Sequence, residues 1–304
     1  MKNAAVVGLG TMGPGIAATL ARAGMNVAAF DADPAKRVKA GPGFAAAAVV
    51  LSALAVPDHT AGAIVVHDNL PQCVAGADLV IETVPEDLAL KIQVFREIEA
   101  QVAEDCVLAS DTSGIPITRI QAGTRSPSRV IGMHWSNPPH IIPMIEVIPG
   151  EKTAPEVVGR LVEMIRRTGH LPIIIRKDVP GFVENRVLYA VMRECLDLVE
   201  QGVIEPQDLD ACVSWGIGYK LAVVGPMALL DMAGLDIYAA VAGYLNKELS
   251  SRSDVAAYIA ERTSQRKLGI KTGSGIYDYT PEKIAELQSL RARKLVAVRK
   301  ALQT

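Results

Sequence analysis

The first 180 or so residues alternate short apolar runs with longer segments whose apolar residues recur every three or four positions. "NAAVVGLG", "MNVAAFD", "AIVVHD", "ADLVIETVPE", "DCVLASDTS", "RVIGMHW", "IEVIPG" and "LPIIIR" read as strands. "GIAATLARAG", "LALKIQVFREIEAQVA" and "APEVVGRLVEMIRRTG" read as helices between them. Parallel strands need a crossover, usually a helix, so this alternation predicts an α/β fold: a doubly wound, mainly parallel sheet with helices on both faces. "FAAAAVVLSALAV", from Phe44 to Val56, reads as a buried, Ala-rich helix too short to span a bilayer. After "KDVPGF" the strand pattern stops. "ENRVLYAVMRECLDLVEQG" is a long amphipathic helix ending at Gly202, and further helical segments run to "ARKLVAVRKALQ". Pro180 and Gly181 mark the expected boundary between an α/β domain over 1–180 and an all-helical domain over 181–304.

The first strand runs into "GLGTMGPGIA", with Gly8, Gly10 and Gly13 in G-x-G-x-x-G spacing. Glycines in that spacing also serve ordinary turns, but here they follow a strand and open a helix, and the next strand ends in Asp31. That context is the fingerprint of a Rossmann-type dinucleotide site. The first glycine makes the tight turn, the second lets backbone approach the pyrophosphate, and the third permits close helix packing. The diphosphate then rests on amide groups at the helix amino end. Gly8, Gly10, Thr11, Met12, Gly13 and Asp31 are therefore the expected cofactor contacts. A carboxylate at Asp31 accepts hydrogen bonds from both ribose hydroxyls and repels a 2′-phosphate, so NAD is expected over NADP. Lys36 and Arg37 lie close enough in sequence to soften that preference.

Composition narrows the function classes. Half of the 304 residues are hydrophobic, 21% are charged, and the net charge is −2. Neither nucleic acid nor an anionic membrane surface is an expected partner. Cys73, Cys106, Cys195 and Cys212 stand singly in apolar surroundings. They read as small core residues of a protein in a reducing compartment rather than disulfides or zinc ligands. The amino terminus enters a strand at once, so no signal peptide is expected and the protein is read as cytoplasmic.

The remaining candidate chemistry sits at strand ends. In "GMHWSNPPHIIPMIEVI", taken alone, His134 could be an ordinary core histidine. However, Asp31, Glu86, Ser113 and His134 all fall at or just beyond the carboxyl ends of strands, where open α/β sheets bind ligands. An imidazole near its free pKa suits the proton transfer that alcohol oxidation requires. Glu146, on the next strand, is placed to fix its tautomer and stabilise its charged form. His140 is either a loop residue or a contact to a substrate carboxylate. No metal site is expected, because His134, His140 and Glu146 include no short-spaced helical ligand pair. His59, His67 and His170 read as surface or packing residues, and Trp135 as pocket wall or core.

Nearly the whole chain resembles the 3-hydroxyacyl-CoA dehydrogenase superfamily, through "GLGTMGPGIA", "VPEDLALK", "SDTSGIPI", "GMHWSNPP", "IEVI", "DVPGFVENR" and "GIKTGSGIYDY". The resemblance implies an NAD-dependent dehydrogenase with His134 as base, oriented by Glu146. It implies that Ser113 and Asn185 bond the substrate oxygen. Glu86, Lys91, Asn137 and Lys271 fall on positions that line the cofactor or nicotinamide site, and the helical domain implies a homodimer. Departures point to the substrate. The family's usual "HFFNP" is "HWSNPPH", Gly114 stands where a second serine is usual, and no Lys or Arg occurs between Lys39 and Lys91 to hold a coenzyme A tail. "NPPHIIPMIEV" looks closer to the gulonate dehydrogenase and lambda-crystallin branch. It is closer still to the pyridine-carboxylate dehydrogenases of vitamin B6 breakdown. Three readings follow: an NAD enzyme acting on the hydroxyl or hydrated aldehyde of a compact anionic carboxylate, a short-chain 3-hydroxyacyl-CoA dehydrogenase, and a crystallin-like protein without activity. The intact set of Ser113, His134, Glu146 and Asn185 favours the first over the last. The 3-hydroxyisobutyrate type is set aside, because Gly181 stands where its lysine would precede Asn185 by four residues.

Overall fold

A computed structural model describes residues 1–60 and 62–303. By contact density the chain forms two units, residues 1–186 with 295–300, and residues 187–294 with 301–304.

The first unit runs β1 (Asn3–Val7), α1 (Gly13–Arg22), β2 (Asn26–Phe30), α2 (Pro34–Ala53), β3 (Ile64–Val66), α3 (Leu70–Val74), β4 (Leu79–Glu82), α4 (Leu88–Glu99), β5 (Val107–Ser110), α5 (Ile117–Gln121), β6 (Val130–Trp135), β7 (Met144–Pro149), α6 (Pro155–Arg167) and β8 (Leu171–Ile174). The first turns of α7 (Glu184–Glu200) close it. All eight segments read as strands form one sheet, in the order β3-β2-β1-β4-β5-β6-β7-β8. Every pairing is parallel except β6 with β7. The order reverses between β1 and β4, which opens a crevice above their carboxyl ends. β1, β4, β5 and β6 are buried on both faces, which explains why they read as unbroken apolar runs rather than alternating ones. One core cluster includes Ile16, Leu20, Val27, Ile81, Met133, Leu161 and Ile165, and a second includes Val80, Phe95, Ile98, Leu108, Ile120 and Ile148.

Two expectations need correction. The Ala-rich run is helical, but α2 begins at Pro34, capped by the Asp33 carboxylate on the Ala35 amide. It buries only Ala40, Ala47 and Leu51, while Val38 and Val49 are 83% and 70% exposed. A single face suffices because α2 packs mainly on α1, where Gly43 meets Pro14. Nor do all four cysteines fill core: Cys73 and Cys106 are buried, Cys195 is half-buried and Cys212 is exposed. Burial pushes the Cys73 and Cys106 thiols up to about 12, so neither is ionised at neutral pH.

The segment between β6 and β7 is braced from two sides. His170 is bonded through Nε2 to the Pro139 carbonyl at 3.1 Å and meets Trp135 edge-on at 5.2 Å. Arg299, buried near the end of α13 (Pro281–Leu302), donates to the Ile141 carbonyl at 2.8 Å. His170 is thus a packing residue, kept uncharged by its burial, which pulls its pKa to about 4.

The second unit holds the rest of α7, then α8 (Pro206–Cys212), a π-helical turn (Val213–Gly218), α9 (Tyr219–Val223), α10 (Pro226–Ala233), α11 (Leu235–Leu245), α12 (Ala257–Ser264) and most of α13. Arg252 joins Asp197 and Glu200 of α7, and Tyr277 donates to Asp210 of α8. Trp215, Met227 and Met232 are among its exposed apolar side chains. Among the described residues, no single helix is long and apolar enough to cross a membrane.

Candidate functional site

The glycine loop is built to admit a dinucleotide. Gly8 has φ +113°, and a Cβ there would lie 2.5 Å from the Thr83 carbonyl oxygen. A Cβ on Gly13 would collide with the Gly8 carbonyl oxygen, so α1 packs backbone to backbone on the loop. Gly10 is the opposite case, with open space where its Cβ would stand. Thr11 is exposed, and Met12 is half-buried against the core. The Leu9 amide donates to Asp31 Oδ2 at 2.8 Å and the Asp33 amide to Oδ1 at 2.9 Å, so Asp31 holds the loop against the end of β2. Lys36 approaches Asp31 at 3.7 Å, whereas Arg37 is engaged by the Asp31 carbonyl and Asp68. Tight backbone at Gly8 and Gly13, open space at Gly10 and a carboxylate at the strand end fit NAD.

Below the crevice lies a buried ion pair. Lys91, 1% exposed, places Nζ 2.8 Å from Glu82 Oε1, 3.1 Å from the Val84 carbonyl and 3.4 Å from Glu86 Oε2. Glu82 also accepts from Ser110 Oγ at 2.6 Å and from the Val84 amide at 2.7 Å. Its two oxygens are thus satisfied, as a fully buried carboxylate requires. Glu86 accepts from Thr112 Oγ1 at 2.6 Å and from the Ser113 and Gly114 amides, each at 3.0 Å. Burial pulls its pKa upward, but the Thr112 bond, the Lys91 charge and the Gly114 amide hold it below the usual value. Glu86 and Lys91 therefore shape the loop that carries Ser113.

Antiparallel pairing sets His134 directly opposite Glu146. His134 Nδ1 and Glu146 Oε2 are 2.8 Å apart. Glu146 Oε1 accepts from the Val183 and Glu184 amides, each at 3.0 Å, so its carboxylate caps the amino end of α7. Burial works against its charged form, yet the His134 bond and those amides win and keep its pKa low. Burial likewise lowers the His134 pKa, but the Glu146 bond and the charges of Asp111, Glu146 and Glu184 outweigh it and lift the value above 6.5. Phe182, at φ +51°, is held in a left-handed conformation that costs a bulky residue strain; its ring lies 5.8 Å from His134. Asn185 Nδ2 donates to the Ser113 carbonyl at 2.6 Å, which ties the Ser113 loop to the start of α7.

The other expected residues have surroundings of their own. His140 packs against Gly15 of α1, where an added Cβ would lie 2.8 Å from its Nδ1. Burial lowers its pKa, so it is a neutral hydrogen-bonding group at pH 7 rather than a cation. Asn137 is exposed at the start of the β6–β7 segment. Lys271 belongs to the second unit, in a loop bridged between Gly269 and Ser274. Trp135 is core.

Four polar residues of the site are absent from the sequence reading. Glu82 ends a strand and Asp111 follows one, the same signal that singles out His134, but Glu82 is hidden in an apolar run and Asp111 among small polar residues. Asp111 is buried, accepts from the Trp135 amide at 2.9 Å, and is pushed up to about 7 chiefly by burial. Ser136 donates to Glu184 at 2.6 Å, and one donor atom each of His134, Glu146 and Glu184 lie within 4.8 Å of one another. No periodicity marks these two, since they lie at the boundaries of elements.

Comparison with known proteins now bears on the site. The 3-hydroxyacyl-CoA dehydrogenase NAD binding domain matches residues 3–179, and the C-terminal domain of the same family matches residues 181–279. The chain belongs to the 3-hydroxyacyl-CoA dehydrogenase family. It is an NAD-dependent dehydrogenase with a small-molecule substrate. Among its relatives, 5-formyl-3-hydroxy-2-methylpyridine 4-carboxylate 5-dehydrogenase of Mesorhizobium japonicum is 58% identical over 305 residues, covering 100% of this chain and 99% of the relative. A solved structure of that type of enzyme, described as an NAD+ dependent dismutase, is 57% identical with a TM-score of 0.97, covering 100% of this chain and 99% of the other. A probable 3-hydroxybutyryl-CoA dehydrogenase of Bacillus subtilis is 33% identical over 92% of this chain and 98% of its own.

Two outcomes follow from the cofactor loop and the ion pair. NAD should exceed NADP in kcat/KM, and Asp31→Ala should narrow the gap, as read by steady-state assays with each cofactor. Lys91→Met leaves Glu82 charged and unpaired in the core and should cost about 3–5 kcal/mol in chemical denaturation, a loss that Glu82→Gln in the same chain should partly reverse.

Proposed function

We propose that this dehydrogenase oxidises the hydrated aldehyde of a compact pyridine carboxylate, 5-formyl-3-hydroxy-2-methylpyridine 4-carboxylate being the best candidate, to the corresponding acid. One observation carries the reading. His134 is bonded to Glu146 through Nδ1 at 2.8 Å, in a chain matched over its full length by a dehydrogenase of that aldehyde. A carboxylate beside Nδ1 accepts a hydrogen bond from the Nδ1–H, so the neutral ring presents Nε2 as an acceptor, the form a general base needs. Glu146 then stabilises the imidazolium that forms. Ser113 and Asn185 hold the substrate oxygen. The loop from Gly8 to Gly13, with Asp31, holds NAD, which when bound supplies the two-electron acceptor. In this assignment R–CH(OH)2 becomes R–COOH: the hydroxyl proton passes to His134 Nε2, and the C–H hydrogen leaves with its electron pair for the cofactor. Reduction of a second, unhydrated aldehyde by the same base in its protonated form would complete a dismutation, the activity described for the related structure. The exposed apolar side chains of the second unit support a homodimer, and the family matches over 3–179 and 181–279, with the contact division after residue 186, support a cofactor domain followed by a substrate and dimerisation domain.

The acyl-CoA reading has the family in its favour. Against it stands the segment from Ala40 to Leu90, which has no Lys or Arg, so that the exposed side of α2 beyond Lys39 is mostly alanine and valine. Coenzyme A phosphates call for cations that this segment does not offer. Steady-state assays with the pyridine aldehyde and with acetoacetyl-CoA separate the two. We expect kcat/KM at least tenfold higher for the aldehyde; acetoacetyl-CoA turnover on the order of 10⁴ M⁻¹s⁻¹ or more, without aldehyde activity, restores the acyl-CoA reading.

The base assignment sets a pH dependence. Oxidation needs neutral His134, whose pKa is raised, so kcat/KM should fall as pH drops through a value above 6.5. Asp111 titrates in the same range, so the limb belongs to coupled groups. Glu146→Gln removes the main raising influence: its acid limb should move to lower pH while its plateau falls. His134→Ala should lose about 10²–10⁴ in kcat with NADH affinity retained, measured by fluorescence titration.

A further inference from the structure

We infer that Glu184, fixed by Ser136, accepts the second hydroxyl of an aldehyde hydrate and so sets this site for R–CH(OH)2 rather than a secondary alcohol. The inference rests on the aldehyde reading above. A secondary alcohol carries one O–H on its reacting carbon, and His134 Nε2 takes that proton. A hydrate carries two on the same carbon. An acceptor for the second must therefore stand close beside the base.

Glu184 stands there. Its carboxylate lies within 4.8 Å of the His134 and Glu146 donor atoms. Oε1 is anchored by Ser136 Oγ at 2.6 Å, and its own amide is tied to Glu146 Oε1 at 3.0 Å, so neither side chain nor backbone is free to swing away. Oε2 is buried and has no hydrogen-bond partner among the described residues. A carboxylate oxygen buried without a donor is costly, and in a folded protein it calls for an explanation. A hydroxyl arriving with the substrate is the donor that fits, because the second O–H becomes more acidic as the carbon is oxidised. A charged acceptor then binds more strongly in the transition state than in the ground state.

The two rival carboxylates are less suited. Glu146 has both oxygens engaged, one by His134 and one by two amides. Asp111 faces His134 from the end of β5, but one oxygen holds the Trp135 amide, and its burial leaves it part-protonated near neutral pH, when it donates as readily as it accepts. Ser136 occupies the position of the second phenylalanine in the family's usual "HFFNP". The hydroxyl that anchors Glu184 is thus one of this chain's own departures.

The test compares two reactions of one aldehyde. Oxidation with NAD acts on the hydrate, whereas reduction with NADH acts on the free carbonyl, which has no second hydroxyl. Both kcat/KM values are measured on their pH plateaus for wild type, Glu184→Leu, Glu184→Gln and Ser136→Ala, with NADH titration and thermal melting to confirm folding. Loss of one hydrogen bond to a charged group predicts that Glu184→Leu loses about 10- to 100-fold more in oxidation than in reduction. Ser136→Ala should shift the ratio the same way by a smaller factor, and Glu184→Gln, which keeps a carbonyl acceptor, should restore part of it. Equal losses in both directions overturn the role of Glu184 while leaving the aldehyde reading intact. A selective loss in Asp111→Asn but not Glu184→Leu transfers the role to Asp111 and also overturns it. Absence of aldehyde oxidation by the wild type overturns both readings together. Should Glu184→Leu fail to fold, the Ser136→Ala and Glu184→Gln ratios decide alone, and ratios unchanged from wild type overturn the assignment.

Discussion

The antiparallel pairing of β6 with β7 is the constraint on which the site depends. Six of the eight strands run parallel to one another, and in such a sheet a histidine at one strand end has no opposite partner at a fixed height. Reversing the chain after Trp135 brings Glu146 into register with His134, and cross-strand neighbours share a face. Because strand register is a whole-number property, the dyad cannot slip by one residue without moving every apolar side chain of β7 to the wrong face. The His134–Glu146 geometry is thereby enforced by the same packing that buries Met133, Ile145 and Val147.

Charge is handled in two layers beneath this constraint. In the lower layer, Glu82 and Lys91 neutralise each other at essentially full burial, an arrangement that contributes little net stability but strongly penalises loss of either partner. Through Glu86 they fix the amides of the Ser113 loop. In the upper layer, Glu146, Glu184 and Asp111 surround a single imidazole. The lower layer is closed to further hydrogen bonds, whereas the upper layer retains an oxygen without a partner. That difference separates a closed ion pair from a centre able to accept a further donor, in residues of the same chemical type.

The fold was largely legible in the sequence because its strands are short and apolar and its helices amphipathic. All eight strands followed from that alternation, whereas their order in the sheet came only from the structure. The His134–Glu146 pair was legible because both residues interrupt apolar strands at a height where ligands bind. Ser136 and Glu184 were not, since a contact between residues 48 apart depends on how α7 meets the end of β6, and neither sits in a periodic segment. Lys91 and Glu86 were visible as motif positions, but their anchoring role was not, because sequence carries no measure of depth. α2 shows the converse error: alanine suits both a buried and an exposed helix face, so its composition could not report that only one face is covered.

Arg299 carries a consequence for synthesis. Its guanidinium bonds the Ile141 carbonyl in the segment that joins the two strands of the dyad, although 158 residues of chain separate them. A ribosome delivers residues in order from the amino end, so the sheet, both core clusters and the cofactor loop can all emerge before that carbonyl has its partner. The first unit, although it reads as an amino-terminal domain, completes its architecture only when Arg299 has left the exit tunnel.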